Sequence, residues 1–136
     1  MPRKTDSRNP GDWLLIVEDE LGFLRPSVEA GQYPEICRAR LAEALEKTMK
    51  AELIRLGWPL RKTHELEVLA DELRARGSDL LPVIEPLAAD FVDAYFTGRY
   101  PGFDLEDPDW PTLRAQLAAI TSLAATIRSR LPQPSP

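Results

Sequence analysis

Residues 34–57 read PEICRARLAEALEKTMKAELIRLG. Ile36, Leu41, Leu45, Met49, Leu53 and Leu56 recur in it at helical spacing, Pro34 occupies a first-turn position, and Gly57 is a natural C-cap. The stretch predicts one long helix. Its charges include Glu43/Lys47 and Glu46/Lys50, both i,i+4 pairs of the favourable polarity, and such a run ordinarily forms a solvated face. A long helix with one apolar stripe needs partners, and the flanking sequence supplies them.

Towards the N-terminus, Trp13, Ile16, Val17, Leu21 and Leu24 keep the same periodicity behind Asn9-Pro10-Gly11, with Asp12 as expected N-cap and Pro26 as expected end or kink. Towards the C-terminus, Trp58-Pro59-Leu60-Arg61-Lys62 turns the chain. Thr63 is placed to cap a third helix carrying Leu66, Leu69, Ala70 and Leu73 up to Gly77. A fourth begins near Ser78-Asp79 and carries Leu80, Val83, Ile84, Leu87, Phe91 and Tyr95 to Thr97-Gly98; Pro82 suits its first turn, whereas Pro86 predicts a kink or a later start. Arg99 to Asp109 reads as an irregular loop. Asp109 then caps a fifth helix with Pro111 in its first turn and Leu113, Leu117, Ile120, Ala124, Ile127 and Leu131 in one stripe. The fold class is all-α, an antiparallel up-and-down bundle of about five helices. It spans 9–131 as a single domain, with residues 1–8 and the Pro-rich 132–136 expected to be disordered.

Composition agrees. Leu and Ala total 35 residues against 11 Val and Ile, a balance that favours helix over sheet. A chain of 136 residues, 43% hydrophobic and 29% charged, holds a core without metal or disulfide staples. One cysteine, Cys37, excludes an internal disulfide, and one histidine, His64, excludes the usual zinc sets, so no metal and no other cofactor is expected. No Gly-rich phosphate loop can be written around the 7 glycines. A net charge of −5 and a pI near 4.9 argue against duplex DNA as a partner. No apolar run reaches membrane-spanning length, and Met1-Pro2-Arg3-Lys4-Thr5-Asp6 lacks the core of a signal peptide. No membrane partner is expected, and the expected location is cytoplasmic.

Three places could carry chemistry. Lys62-Thr63-His64-Glu65-Leu66 puts the lone histidine in the first turn of the third helix, where free backbone N–H groups attract anions and disfavour an imidazolium. His64 there is either a site acceptor or a structural partner for a neighbouring helix. Arg99-Tyr100-Pro101 sets an arginine beside an aromatic, as phosphate and base recognition use, although an arginine there equally caps the carbonyls that end the fourth helix. Asp104, Glu106, Asp107 and Asp109 lack EF-hand spacing and read as a solvated loop that repels polyanions. Large apolar residues off the main stripes, Leu81, Val92 and Phe96 on the fourth helix and Leu123 on the fifth, predict a patch that a second copy covers, hence a homodimer; the alternatives are a docking face for a different protein and side chains that fill the monomer's own core.

Taken in order, Glu46-Lys47-Thr48-Met49-Lys50-Ala51-Glu52-Leu53, Lys62-Thr63-His64-Glu65-Leu66 and Arg99-Tyr100-Pro101 resemble the HEPN family, a nucleotide-binding domain of higher eukaryotes and prokaryotes, from about Trp13 to Leu131. The resemblance implies a small helical bundle that dimerises around a polar groove for nucleotides or RNA. Many members are metal-independent ribonucleases, and others pair with a small nucleotidyltransferase in toxin–antitoxin modules, which makes that enzyme the alternative occupant of the apolar patch. It implies Arg99, Tyr100, His64 and Lys62 as nucleotide- or phosphate-binding residues. Nuclease members carry a histidine after four to six residues intervening from the arginine; here that window holds Asp104, Leu105 and Glu106, so no catalytic residue is assigned. The expected function is a non-cleaving dimer that binds a nucleotide or RNA phosphate, partnered by a minimal nucleotidyltransferase. The alternatives are a ribonuclease with a degenerate motif, its base drawn from Asp104 or Glu106, and a helical protein-interaction subunit with no nucleotide site.

Overall fold

The structure, a computed structural model, describes residues 7–98 and 109–132, with side chains described for 7–92 and 109–132. Its elements are α1 (Pro10–Ala30), α2 (Pro34–Arg55), α3 (Leu66–Ala75), α4 (Leu81–Gly98) and α5 (Trp110–Arg130). No strand occurs among the described residues. The all-α reading stands.

Asn9, not Asp12, caps α1: its Oδ1 accepts the Gly11 N–H at 2.9 Å, and Pro10 follows at the first helical position. Asp12 accepts the Ser7 hydroxyl instead, and the Trp13 indole donates to the Ser7 carbonyl at 2.8 Å. Pro26 does not end the helix. Pro26 and Gly22, the residue whose carbonyl loses its i+4 donor to the proline, are both exposed, so the helix continues to Ala30 with the gap on its wet side. It stops at Gly31, whose φ of 68° is left-handed and whose N–H closes on the Val28 carbonyl. Helix α4 behaves likewise. It runs through Pro86 because Pro86 and Pro82, its i−4 residue, are exposed. Ser78 steadies its start by accepting the Leu80 N–H at 3.2 Å.

Helix α2 is the axis of the fold, packed by each of the other four helices. Gly31 at the end of α1 meets Trp110 at the start of α5, and Glu18 pairs with Arg128 near the end of α5, so α1 and α5 run antiparallel. Helices α3 and α4 pack on each other and on α2. Enclosure on several sides buries every residue from Thr48 to Leu53. The expected solvated charged face is therefore corrected over this half of α2: Lys50 and Glu52 are buried, because no side of the helix there is left for water. Glu46 and Lys50 do pair, at 3.1 Å, but Lys47 turns to Glu20 of α1 and leaves Glu43 to Arg40.

Two stripe positions also change. Ile36 and Val83 are exposed, and Cys37 on α2 and Ala88 on α4 are buried in the core. Leu123 is buried, while Leu81 and Val92 pack against the core, so these three do not form the expected exposed patch; Phe96 lies outside the described side chains. Full burial of a leucine contributes roughly 1.5–3 kcal/mol, which Leu123 gives to the monomer's own core.

Candidate functional site

Helix α3 begins at Leu66 with Glu65 as N-cap, and Thr63 does not cap it. The Thr63 hydroxyl takes the Glu65 N–H at 3.3 Å in a local turn, which sets His64 ahead of the helix rather than in its first turn. The helix N–H argument therefore does not reach His64. Its side chain is 86% exposed, and its Nδ1 lies 3.1 Å from Oε2 of Glu46. That same oxygen receives the Lys50 ammonium at 3.1 Å. Lys50 is 5% exposed, and its Nζ sits 5.4 Å from the centroid of the Trp13 ring, a cation–π contact. An ion pair with its lysine buried and its carboxylate part-buried thus carries an exposed imidazole at its outer end. Lys62, on the same loop, is exposed and makes no ion pair among the described residues.

One turn and a half further along α2, a second polar cluster centres on Glu52, which has no exposed surface. Arg55 donates to its carboxylate at 2.6 and 3.1 Å and the Ser78 hydroxyl at 2.9 Å. Arg130 of α5 approaches it to 3.8 Å while gripping Asp79 at 2.7 and 2.8 Å. The Arg130 hydrogen bond holds the Asp79 carboxyl below its usual range. This cluster joins α2, the α3–α4 connection and α5 and leaves the Glu52 oxygens no room for a ligand; its role is to hold the bundle closed. Burial also pushes the Cys37 thiol up, away from reactivity.

Of the residues singled out from sequence, His64 and Lys62 share one exposed loop, whereas Arg99, Tyr100, Asp104, Glu106 and Asp107 lie outside the described residues. Asp109 accepts the Thr112 N–H at 2.7 Å and so is a helix cap. Among the described residues no group of three His, Cys, Asp or Glu could hold a metal ion. Two open clefts exclude His64 and Lys62: one of about 290 Å³ is lined by Asp19, Glu20, Phe23, Leu24 and Arg40, and one of about 600 Å³ lies between Arg8 and Arg128. Sequence reasoning missed Glu46 and Trp13 as supports of the loop. Only the Glu46/Lys50 spacing hinted at them, because His64 is 18 residues from Glu46 and on another element.

A helical domain whose central helix braces a Lys-Thr-His loop defines the class of protein. The chain matches the HEPN domain over residues 11–128, and it belongs to that family. No curated protein and no solved structure matches it. Among the described residues no helix is long and apolar enough to cross a membrane.

Proposed function

We propose that this HEPN domain binds the phosphate of a nucleotide or RNA without cleaving it, as a homodimer, and that a minimal nucleotidyltransferase is its partner in a toxin–antitoxin-type module. The observation that carries the reading is His64, exposed yet held by the largely enclosed Glu46 carboxylate on the loop that also carries the cation Lys62. Lys62 offers a point charge and His64 a directional nitrogen. The family resemblance adds the guanidinium fork of Arg99 and the ring of Tyr100 for a base. In a chain of net charge −5 such a site attracts phosphate locally, and its affinity falls with salt.

Cleavage of RNA without metal needs a base for the 2′-hydroxyl and an acid for the leaving oxygen. Asp104 and Glu106 stand where the nuclease histidine would, and a carboxylate there repels the phosphate that Arg99 attracts. The dimer and the partner rest on the family resemblance. Calorimetric titration with adenosine 5′-monophosphate tests the site: Lys62→Ala, His64→Ala and Arg99→Ala each weaken binding, and equal binding by all three variants would overturn the placement. A time course on labelled RNA shows no cleavage with or without magnesium; cleavage lost in Arg99→Ala would instead favour the ribonuclease alternative.

The interaction-subunit reading has one observation in its favour, the exposure of Phe23, Tyr33 and Ile36 along α1 and the start of α2. It replaces the first reading if no nucleotide or short RNA raises the melting temperature.

A further inference from the structure

We infer that Glu46 is a positioning residue: backed by buried Lys50, it holds His64 in the tautomer with its proton on Nδ1, so that the loop presents a bare Nε2 beside Lys62. The use of that nitrogen for phosphate rests on the reading above; the tautomer itself does not.

An ionised carboxylate only accepts hydrogen bonds, so the 3.1 Å contact between Nδ1 and Oε2 places a proton on Nδ1. An unrestrained imidazole in water prefers the other tautomer, with the proton on Nε2. Glu46 enforces its choice because it cannot swing away. Its side chain is 14% exposed, Lys50 shares the same oxygen from inside, and the Trp13 ring that flanks Lys50 is itself tied to the Ser7 carbonyl. The charged group in contact with the ring is Glu46, with Lys50 of α2 behind it on the same oxygen and Lys62 and Glu65 neighbouring His64 along the chain.

The tautomer decides the ligand class. A bare Nε2 accepts a hydrogen bond from a phosphate that carries its own proton, and a phosphate monoester has such a proton in its monoanionic form, below its second pKa near 6. An internal phosphodiester has no such proton. It offers a bare Nε2 no donor, so this tautomer favours a terminal phosphate in its monoanionic form, as in a nucleoside monophosphate or a 5′-phosphorylated RNA end.

His64 is the only histidine, so its two ring nitrogens give unambiguous signals in 15N-detected spectra. With the ring neutral, the wild-type protein should show a protonated Nδ1 and a bare Nε2. Glu46→Leu should move the majority of the proton to Nε2. Should that variant fail to fold, Glu46→Leu with Lys50→Met removes both charges of the pair at similar volume, a replacement that is often neutral for stability, and gives the same readout. A wild-type ring with its proton mainly on Nε2, or a folded variant with an unchanged tautomer, overturns the inference. Calorimetry supplies a separate arm, in which wild type binds adenosine 5′-monophosphate about tenfold more tightly than its phosphate methyl ester, and the double variant loses the preference. A locked tautomer with no binding of either probe would defeat the phosphate reading alone, and binding with an unlocked tautomer would defeat the positioning role alone.

Discussion

Glu52 carries a charge with no exposed surface, and each of its oxygens is met by a donor from the protein. Removing one side of such a buried network strands the rest, so Glu52→Ala should lower stability by about 3–5 kcal/mol, read from the urea midpoint at unchanged slope. Ser78→Ala, which removes a single hydroxyl donor, should cost about 1–3 kcal/mol. The acid limb of stability has its own residues. Asp79, through Arg130, and Asp109, through the Thr112 N–H, are both held below the usual carboxylate value of 3.8. A lowered folded-state value means that the stabilisation is complete above 3.8 and is lost as pH falls through the lower folded value. Asp79→Asn should therefore weaken the protein at neutral pH and flatten its loss of stability below that point, as followed by thermal melts across an acid series. The Asp109 cap was legible in the sequence, but the Glu52 network was not, because Arg55 stands three residues from Glu52 while Ser78 stands 26 away. His64 was legible as a motif residue, and its support was not, for the same reason of distance along the chain.

Periodicity located all five helices, since apolar spacing is imposed by the core each helix faces. Prolines misled at the boundaries. An interior proline is costly when its orphaned carbonyl is buried, and Pro26 and Pro86 avoid that by lying on exposed sides, which only packing decides. Restoring the missing donor should help: Pro26→Ala is expected to raise stability by about 1–3 kcal/mol, whereas Pro10→Ala, at a first-turn position, should lower it by about 0.4–1 kcal/mol through the unfolded chain. Matched denaturant curves of the two variants check the contrast. Helix α2 misled differently. Its alternation of charges is the same whether one neighbour or four surround it, so the burial of Lys50 and Glu52 belongs to the tertiary structure and not to the local pattern.

For the whole molecule, family membership was readable from three short motifs in order, whereas the oligomeric state was argued from side chains of which Leu123 proves to be core. The proposed dimer remains measurable. Light scattering over a hundredfold concentration range should give twice the 15.3 kDa chain mass, and a mass staying near 15.3 kDa throughout would reject self-association. The pairing of Glu18 with Arg128 spans 110 residues of chain and brings the start of α1 alongside the end of α5, with Arg128 near Gly11. Nothing in the packing then requires α1 to be made first. A circular permutant that joins Pro132 to Ser7 through a short flexible linker and opens the chain between Gly31 and Gln32 would begin at α2 and finish with α1, and it would also free Tyr33 from its left-handed φ of 60°. The order of the five helices along the gene is thus separable from their order in space, and the permutant should melt cooperatively with the parent's helical signal.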